Sequence, residues 1–333
     1  MSSDEASAVI LAAGKSSRMK SGLTKLLHEM SGRPLVQYVA EACLEAGIGR
    51  VIIVIGHNAT EMKAALGDRF EYVYQRELLG TGHALMQAEP VLKDFHGDVC
   101  VFVGDAPFLT AEVIRNLTER HRETKADCTL LSAVFPETPA YGRIVRDGAG
   151  AIRKIVEEKD TTPEERAIRE VNTSHYCFNA DRIMPLLSEI KNDNVADEYY
   201  LTDVIEIALD RGYRVETVQA SDYRVGLGIN NRIDFAQALR IMYDRKAREA
   251  MTAGVTLIDP ATTYIDNTVE IDNDVIIYPG TFLEKGTKIG KGSVIGPGVY
   301  LSGTDVGRNC TIRNVGIVDE KIGDGGLRTG KPA

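Results

Sequence analysis

The chain has 333 residues, which exceeds the size of one ordinary domain and fits two. Its composition, 44% hydrophobic and 26% charged, is that of a globular protein and excludes a disordered or fibrous chain. The net charge of −9 argues against a general nucleic-acid-binding surface, and no apolar run approaches the ~18 residues that a membrane span needs.

The cysteines and the N-terminal residues indicate the compartment. The five cysteines are odd in number and form no CxxC pair, which argues against a zinc knuckle and against a disulfide scaffold. Residues 1–7 are polar and acidic, unlike a signal peptide. We therefore expect a cytoplasmic protein with no membrane or nucleic-acid partner.

Strands and helices alternate along the first part of the chain. The patterns predict strands at 8–12, 51–55, 99–103 and 128–134, and helices at 34–46, 60–66, 82–88 and 110–122. Shorter strands are expected near Ile144, Ile152 and Tyr176, covering the open side of a pocket. The alternation predicts an α/β, Rossmann-like domain with a mostly parallel sheet and helices on both faces. Ligands of such sheets bind beyond the carboxyl ends of the strands, so site residues should follow Ala12, Ile55 and Val103.

The last part of the chain has a period of six residues. A hexapeptide repeat predicts a short parallel β-helix whose aliphatic residues point inward. The alternative, a flexible glycine-rich tail, does not account for seven aliphatic residues in strict register. After the seventh the phase slips by one, which places Val306, Ile312 and Val318 inward, and residues 323–333 lose the pattern. The seven are Ile265, Ile271, Ile277, Leu283, Ile289, Ile295 and Leu301.

Three segments follow from these patterns. Residues 1–231 form the α/β domain, residues 232–253 a connecting helix, and residues 254–333 the β-helix. Asn230 and Asn231 precede the helix, and their simplest role is to cap it.

The loop after the first strand has the pattern of a phosphate-binding loop. Small residues at Ala12, Ala13 and Gly14 let the backbone approach a ligand, and its N–H groups can cradle a nucleotide. Two cations, Arg18 and Lys25, follow and can hold phosphates. The alternative is a solvated basic turn after a core strand.

Two further motifs follow strands. Asp105 comes directly after 99–103, and one carboxylate together with phosphate oxygens can hold Mg²⁺; the alternative is that Asp105 caps a turn. The Gly80-Thr81-Gly82 segment opens a helix and offers free N–H groups. Gln75 can both donate and accept, which suits the imide edge of uracil. His83 is expected to cap or pack rather than to act as a base.

A scattered set of polar residues can bind sugar hydroxyls, although each residue singly can equally lie on the surface. The set comprises Tyr141, Gly142, Arg143, Glu157, Asn172, Thr173 and residues 198–203.

Together these residues resemble the uridylyltransferase domain of the bacterial bifunctional N-acetylglucosamine-1-phosphate uridylyltransferase / glucosamine-1-phosphate N-acetyltransferase family. The LxAGxxxRM loop at 11–19 is shared by many nucleotidyltransferases. The combination of GTGHA at 80–84, EYYLTD at 198–203 and GINNR at 228–232 is far more specific. A hexapeptide β-helix, left-handed in this family, follows in the same order.

The resemblance implies a role for each matching residue. The backbone of Leu11, Ala12, Ala13 and Gly14 would hold the nucleotide, Gln75, Gly80 and Thr81 would read uracil, and Arg18 and Lys25 would stabilise the triphosphate as the catalytic cations. Asp105 and Asn230 would bind Mg²⁺, and Gly142, Glu157, Asn172, Tyr200 and Thr202 would surround the sugar. Val103, Ala106, Phe108 and Ser174 depart from the family pattern and bear on sugar specificity.

The implied reaction converts UTP and N-acetylglucosamine-1-phosphate into UDP-N-acetylglucosamine, a cell-wall precursor, with release of pyrophosphate. The resemblance also implies a homotrimer through the β-helix. None of the six histidines follows His175, so the β-helix offers no histidine base and we expect acetyl transfer to be absent. The alternatives are a nucleotidyltransferase for another sugar-1-phosphate or base, a β-helix acyltransferase, or a non-catalytic assembly protein.

Overall fold

The computed structural model describes residues 6–331. The expectations for residues 1–5 and for 332–333 fall outside this range. The chain divides into two compact units, one formed by residues up to His28 with Pro34–Asn230, the other by Glu29–Arg33 with the residues from Asn231 on. Within the described range, no helix combines the length and apolar character that crossing a membrane requires.

The first unit is built on a nine-stranded sheet. Its strands are β1 (Ala6–Ala12), β4 (Arg50–Ile55), β5 (Glu71–Tyr74), β6 (Asp98–Val103), β7 (Cys128–Val134), β8 (Arg143–Arg146), β9 (Ile152–Val156), β10 (Glu170–Asn179) and β11 (Val215–Gln219). The strands β2 (Glu29–Met30) and β3 (Arg33–Pro34) pair with each other in a separate two-stranded sheet.

The helices of this unit connect the strands of the sheet. They are α1 (Leu35–Glu45), α2 (Ala59–Leu66), α3 (Thr81–Met86), α4 (Glu89–Leu92), α5 (Ala111–Thr124), α6 (Pro163–Arg166), α7 (Ala180–Ile183) and α8 (Asp203–Asp210). The side chain of Thr110 caps α5 by accepting the backbone N–H of Val113, as its residue type predicts.

The sheet confirms the predicted fold class. Its order is β11-β7-β10-β6-β1-β4-β5, and β1 pairs in parallel with both β4 and β6. Alternate residues of β1 enter different cores: Val9 packs on one face, and Ala8 and Ile10 pack on the other. Helices therefore cover both faces, because each face of the sheet buries an apolar layer.

The prediction for the strand near Tyr176 was wrong. A short strand over the pocket was expected, but β10 has ten residues and pairs antiparallel with both β6 and β7 in the centre of the sheet. A register shift between Asn172 and Tyr176 breaks its two-residue period, so the sequence pattern shows only part of the strand. The hairpin of β8 and β9 does lie off the main path of the sheet, beside β10.

The second unit contains the helix α9 (Arg232–Thr252) and three stacked parallel sheets, an arrangement consistent with the predicted left-handed β-helix. The side chain of Asn231 caps α9 by accepting the N–H groups of Ile233 and Asp234. The strands are β12 (Thr256–Leu257), β13 (Thr263–Ile265), β14 (Glu270–Ile271), β15 (Ile276–Ile277), β16 (Thr281–Glu284), β17 (Lys288–Ile289), β18 (Val294–Ile295), β19 (Tyr300–Ser302), β20 (Asp305–Val306), β21 (Thr311–Arg313), β22 (Gly316–Val318), β23 (Lys321–Ile322) and β24 (Leu327–Thr329).

The predicted inward register holds through Leu301, with Ile271 only partly buried, and through Val306 and Ile312 beyond it. It is wrong at Val318, which is 59% exposed, because Ile317 pairs with Leu301 and takes the buried position. The strand β24 pairs with β21, but all three of its residues are exposed, so the inward pattern ends there as expected. The difference at Val318 arises because the coil between Leu301 and Ile317 is shorter than 18 residues.

Candidate active site

A cavity of about 500 Å³ opens at the carboxyl edge of the sheet. Gly14 lies there with open space where a Cβ would stand, so a ligand can approach its backbone. All the residues predicted to bind the nucleotide line this cavity: Leu11, Ala12, Ala13, Gly14, Lys25, Gln75, Gly80 and Thr81, together with Asp105.

Four of the predicted charged and amide groups meet at one point. The ammonium of Lys25 pairs with the carboxylate of Asp105 and donates to Oδ1 of Asn230 at 3.1 Å. Arg18, which is exposed, donates to the same Oδ1 at 3.0 Å. The backbone N–H of Ile229 donates to the carbonyl of Asp105 at 3.0 Å and so brings the Asn230 segment to the end of β6. The expected capping role therefore belongs to Asn231, and Asn230 lies in this cluster.

The cluster provides oxygen donors that fit a divalent cation. The oxygens of Asp105 and Asn230 converge on the Lys25 ammonium, and the Arg18 guanidinium also donates to Asn230. Between residues 6 and 331, no three His, Cys, Asp or Glu side chains group as a metal site. Two hard protein oxygens completed by phosphate oxygens and water suit Mg²⁺, which retains several waters and rarely uses an all-protein cage.

The Gly80 segment is held tightly against residues 199–201. Gly80 has a φ of 112°, and a Cβ there would lie 2.6 Å from the carbonyl oxygen of Tyr199, so only glycine fits. The hydroxyl of Thr81 accepts the backbone N–H of Leu201 at 3.1 Å. Gln75, which follows β5, is buried, and its amide nitrogen donates to the carbonyl of Gly80 at 3.1 Å. These bonds fix the end of the cavity that is predicted to read the base.

A second cavity, of about 200 Å³, adjoins the first and shares Leu11, Thr81, Val103 and Glu198 with it. Glu157, Tyr200 and Thr202, three of the predicted sugar-binding residues, line it. The hydroxyl of Thr202 donates to Glu157 at 3.0 Å.

Glu157 and Glu198 line this second cavity, and the carboxylates of Asp160 and Asp203 lie near enough to influence its titratable groups. Burial raises the pKa of Glu157 above its ordinary value. Burial, and then the charge of Glu157, raises the pKa of Asp203 to about 6. Burial together with nearby carboxylates, Asp160 first, raises the pKa of Tyr200 to about 12.

The other two predicted sugar-binding residues do not line the second cavity. Gly142 lies behind Glu157, where a Cβ would stand 3.4 Å from the carboxylate. Asn172 is buried, and it donates to the hydroxyl of Tyr176 at 2.6 Å and accepts from the N–H of Ser174 at 3.2 Å. Both residues therefore support the cavity wall.

Two wall residues were not predicted to bind the sugar. Tyr176 and Ser174 line the second cavity beside Glu157. Ser174 has a φ of 59°, an uncommon conformation for serine that turns the strand at its register shift. The departure at Ser174 from the family pattern was the signal in the sequence, whereas Tyr176 resembles any other core aromatic residue.

Comparison with known proteins agrees with the fold and with the predicted family resemblance. Residues 8–182 match the MobA-like NTP transferase domain, and residues 268–303 match the bacterial transferase hexapeptide of six repeats. Similar curated relatives carry the name "Bifunctional protein GlmU": that of Acetivibrio thermocellus is 47% identical over 79% of this chain and 57% of the relative, and that of Bacillus subtilis is 43% identical over 79% and 58%. The chain therefore spans less than two thirds of the length of these relatives.

A solved structure shares the architecture alone. It is the crystal structure of UDP-glucose pyrophosphorylase complexed with UDP-glucose, which superimposes with a TM-score of 0.58 over 72% of this chain and 99% of that chain. The two sequences are 21% identical.

Proposed function

This chain belongs to the MobA-like NTP transferase domain family, and from that membership we propose that it is a sugar-1-phosphate nucleotidyltransferase. Its substrates would be UTP and N-acetylglucosamine-1-phosphate, and its products UDP-N-acetylglucosamine for cell-wall peptidoglycan synthesis and pyrophosphate. The GlmU relatives support this choice of substrates. The observation that carries the proposal is the meeting of Arg18, Lys25, Asp105 and Asn230 beside a cavity that Gln75 and Gly80 also line.

The reaction needs charge stabilisation more than covalent chemistry. A phosphate oxygen of the sugar phosphate attacks the α-phosphorus of UTP in line, and pyrophosphate leaves. The nucleophile is already an anion, so the protein need not remove a proton or form a covalent intermediate. Lys25 and Arg18 would stabilise the negative charge that develops on the phosphate oxygens.

Asp105 and Asn230 would hold Mg²⁺, which when bound neutralises and orients phosphate oxygens. Lys25 contacts both of these oxygens, and Arg18 also donates to that of Asn230. The negative charge of a triphosphate would attract both the Lys25 ammonium and the Arg18 guanidinium, which would make the oxygens of Asp105 and Asn230 available to the metal.

The sugar would lie in the second cavity. The carboxylate of Glu157, held by Thr202, would accept hydrogen bonds from sugar hydroxyl or amide groups, and Tyr200 would line the opening. Asn172 and Gly142 would act indirectly, by supporting that wall.

A pyrophosphate-release assay with four nucleoside triphosphates and a panel of sugar-1-phosphates tests this proposal. We expect UTP with N-acetylglucosamine-1-phosphate to give the highest kcat/KM. A higher value for another pair would favour the same chemistry with another sugar or base. Tight Mg²⁺-UTP binding without turnover for any pair would favour a non-catalytic assembly protein.

We also propose that the β-helix mediates assembly into a homotrimer and that the protein is cytoplasmic. The inward register of the β-helix buries a continuous aliphatic core, which supports its role in assembly. The described cysteines are all free and buried, which supports a reducing compartment. Light scattering at micromolar concentration should give three times the monomer mass. Acetyl-CoA with glucosamine-1-phosphate should release no free thiol above background, because residues 254–333 contain no histidine that could act as the base. An active monomer would refute the trimer, and robust thiol release would support the acyltransferase alternative.

A further inference from the structure

His83 lies directly behind Gln75, the residue proposed to read the base. The Gln75 side chain is 5% exposed and lines the first cavity. Its amide nitrogen lies 3.1 Å from the carbonyl oxygen of Gly80 and 3.1 Å from Nδ1 of His83. A backbone carbonyl can only accept, so the NH₂ end of the amide faces Gly80, and its second N–H is directed to His83.

The ring of His83 has a second amide neighbour. The amide nitrogen of Gln87 lies 3.3 Å from Nε2 of His83 and donates to the backbone carbonyl of His83 at 3.0 Å. A neutral imidazole has one accepting nitrogen, so only one of the two amides can donate to it. Gln75 is buried and Gln87 is half-buried, so losing the bond costs more at Gln75, where water cannot replace it. Burial therefore assigns the accepting nitrogen to Nδ1.

We propose that His83 is a positioning residue for base selection. Its unprotonated Nδ1 accepts an N–H of Gln75 and so fixes the amide with Oε1 as the one group that Gln75 offers to the cavity. A single acceptor matches the N3–H of uracil and opposes the N3 lone pair of cytosine. The inference rests on the proposed nucleotidyl transfer, and it replaces the expectation that Gln75 both donates to and accepts from the base.

A role as general base is not supported for His83. Its two ring nitrogens face Gln75 and Gln87, and it is not among the residues that line either substrate cavity. His83 belongs to α3, which begins at Thr81, and the backbone N–H of Gly82 in the same helix donates to the carbonyl of Tyr199. This bond fixes the helix that contains His83.

The test compares UTP and CTP affinities by calorimetry with Mg²⁺, a readout that does not depend on turnover. His83→Ala removes the acceptor and should lower the UTP:CTP affinity ratio on the order of tenfold, as expected for one unmatched buried polar group. In His83→Asn the side-chain oxygen can occupy the place of Nδ1, so this variant should retain the ratio. Gln87→Ala removes the other ring contact and is the matched control, which should also retain the ratio.

Each result has a distinct meaning. If Gln75→Ala leaves the ratio unchanged, base reading by Gln75 fails. If Gln75→Ala lowers the ratio but His83→Ala does not, positioning by His83 fails. The double variant should be no less selective than Gln75→Ala alone, because His83 acts through Gln75. The ¹⁵N chemical shifts of the wild-type ring should show an unprotonated Nδ1, and a proton on Nδ1 would overturn the inference even if a variant does not fold.

Discussion

The substitution Asp105→Asn separates the metal assignment from a structural role. It keeps the shape of the side chain and removes its charge. The remaining oxygen can still accept from Lys25, so no buried group loses its partner. The side chains of Lys25 and Asp105 are 14% and 19% exposed, and water also reaches them. We therefore expect the free energy of unfolding to fall by only about 1 kcal/mol.

The effect on turnover should be much larger. A neutral amide binds Mg²⁺ weakly, so charge stabilisation on the phosphate oxygens is lost. A loss of about 3–5 kcal/mol corresponds to a decrease in kcat of roughly 10²- to 10⁴-fold. The Mg²⁺ concentration that gives half-maximal activity should rise as well. If Asp105 only caps a turn, asparagine should serve equally and kcat should not change.

The same strand offers a matched control at its other end. Asp98, at the start of β6, is 15% exposed and bonds to Arg122 at 2.8 Å. Asp98→Asn therefore makes the same chemical change in a comparable ion pair away from the cavity. We expect a similar loss of stability with normal kcat in the pyrophosphate-release assay. Wild-type kcat in Asp105→Asn, or an equal loss in both variants, would refute the metal assignment.

Three further changes test other parts of the molecule. Burial, and then the charge of Glu284, raises the pKa of Asp266 to about 6. The protonated side chain therefore stabilises the fold at low pH, and this contribution is lost as the pH rises from about 4 to 6. Asp266→Asn should raise the free energy of unfolding by about 1–3 kcal/mol at pH 8 and leave it unchanged at pH 4. Burial raises the pKa of Glu157, so mild acidification should protonate its carboxylate, remove it as an acceptor and increase the KM for the sugar phosphate. In Glu157→Gln the KM should be high at every pH. Comparing the KM of the variant with that of the wild type at each pH cancels the ionisation of the substrate itself. Gly80→Ala should lower stability by more than about 1–3 kcal/mol in thermal unfolding because its Cβ meets the backbone of Tyr199 at positive φ, whereas Gly148→Ala, with open space around its Cβ, should be close to neutral.

The edge of the sheet could be predicted because it depends on local patterns. The residues 8–12 and 99–103 are continuous apolar runs, and a parallel sheet places the carboxyl ends of such strands at one edge. Leu11 and Asp105 therefore had to lie at the same edge of the sheet, and they lie close together because β1 pairs with β6. The position of β10 could not be predicted in this way, because its antiparallel pairing with β6 and β7 depends on contacts that no local period records.

The β-helix shows the same limit on a smaller scale. Side-chain direction follows the six-residue period as long as each coil has 18 residues, as between Ile265 and Leu283. Ile289 instead pairs with Val306 and Leu301 pairs with Ile317, because the turns lose a residue twice. Only the stacking of one coil on the next determines which of Ile317 and Val318 fills the core.

The candidate site differs from the fold in that residue type and spacing alone do not decide function. Asn172 has the expected type and position, yet the shift in β10 directs its amide to Tyr176 and Ser174. Lys25 and Asp105 also have the expected types, and here the structure adds a coupling: each neutralises the other beside an open cavity. Metal binding at Asp105 would therefore compete with the Lys25 ion pair, and a triphosphate that attracts Lys25 would promote it. On this reasoning Mg²⁺ and UTP should each strengthen the binding of the other. Lys25→Met should reduce this coupling, and the part that remains should come from the phosphate oxygens that bind Mg²⁺ directly.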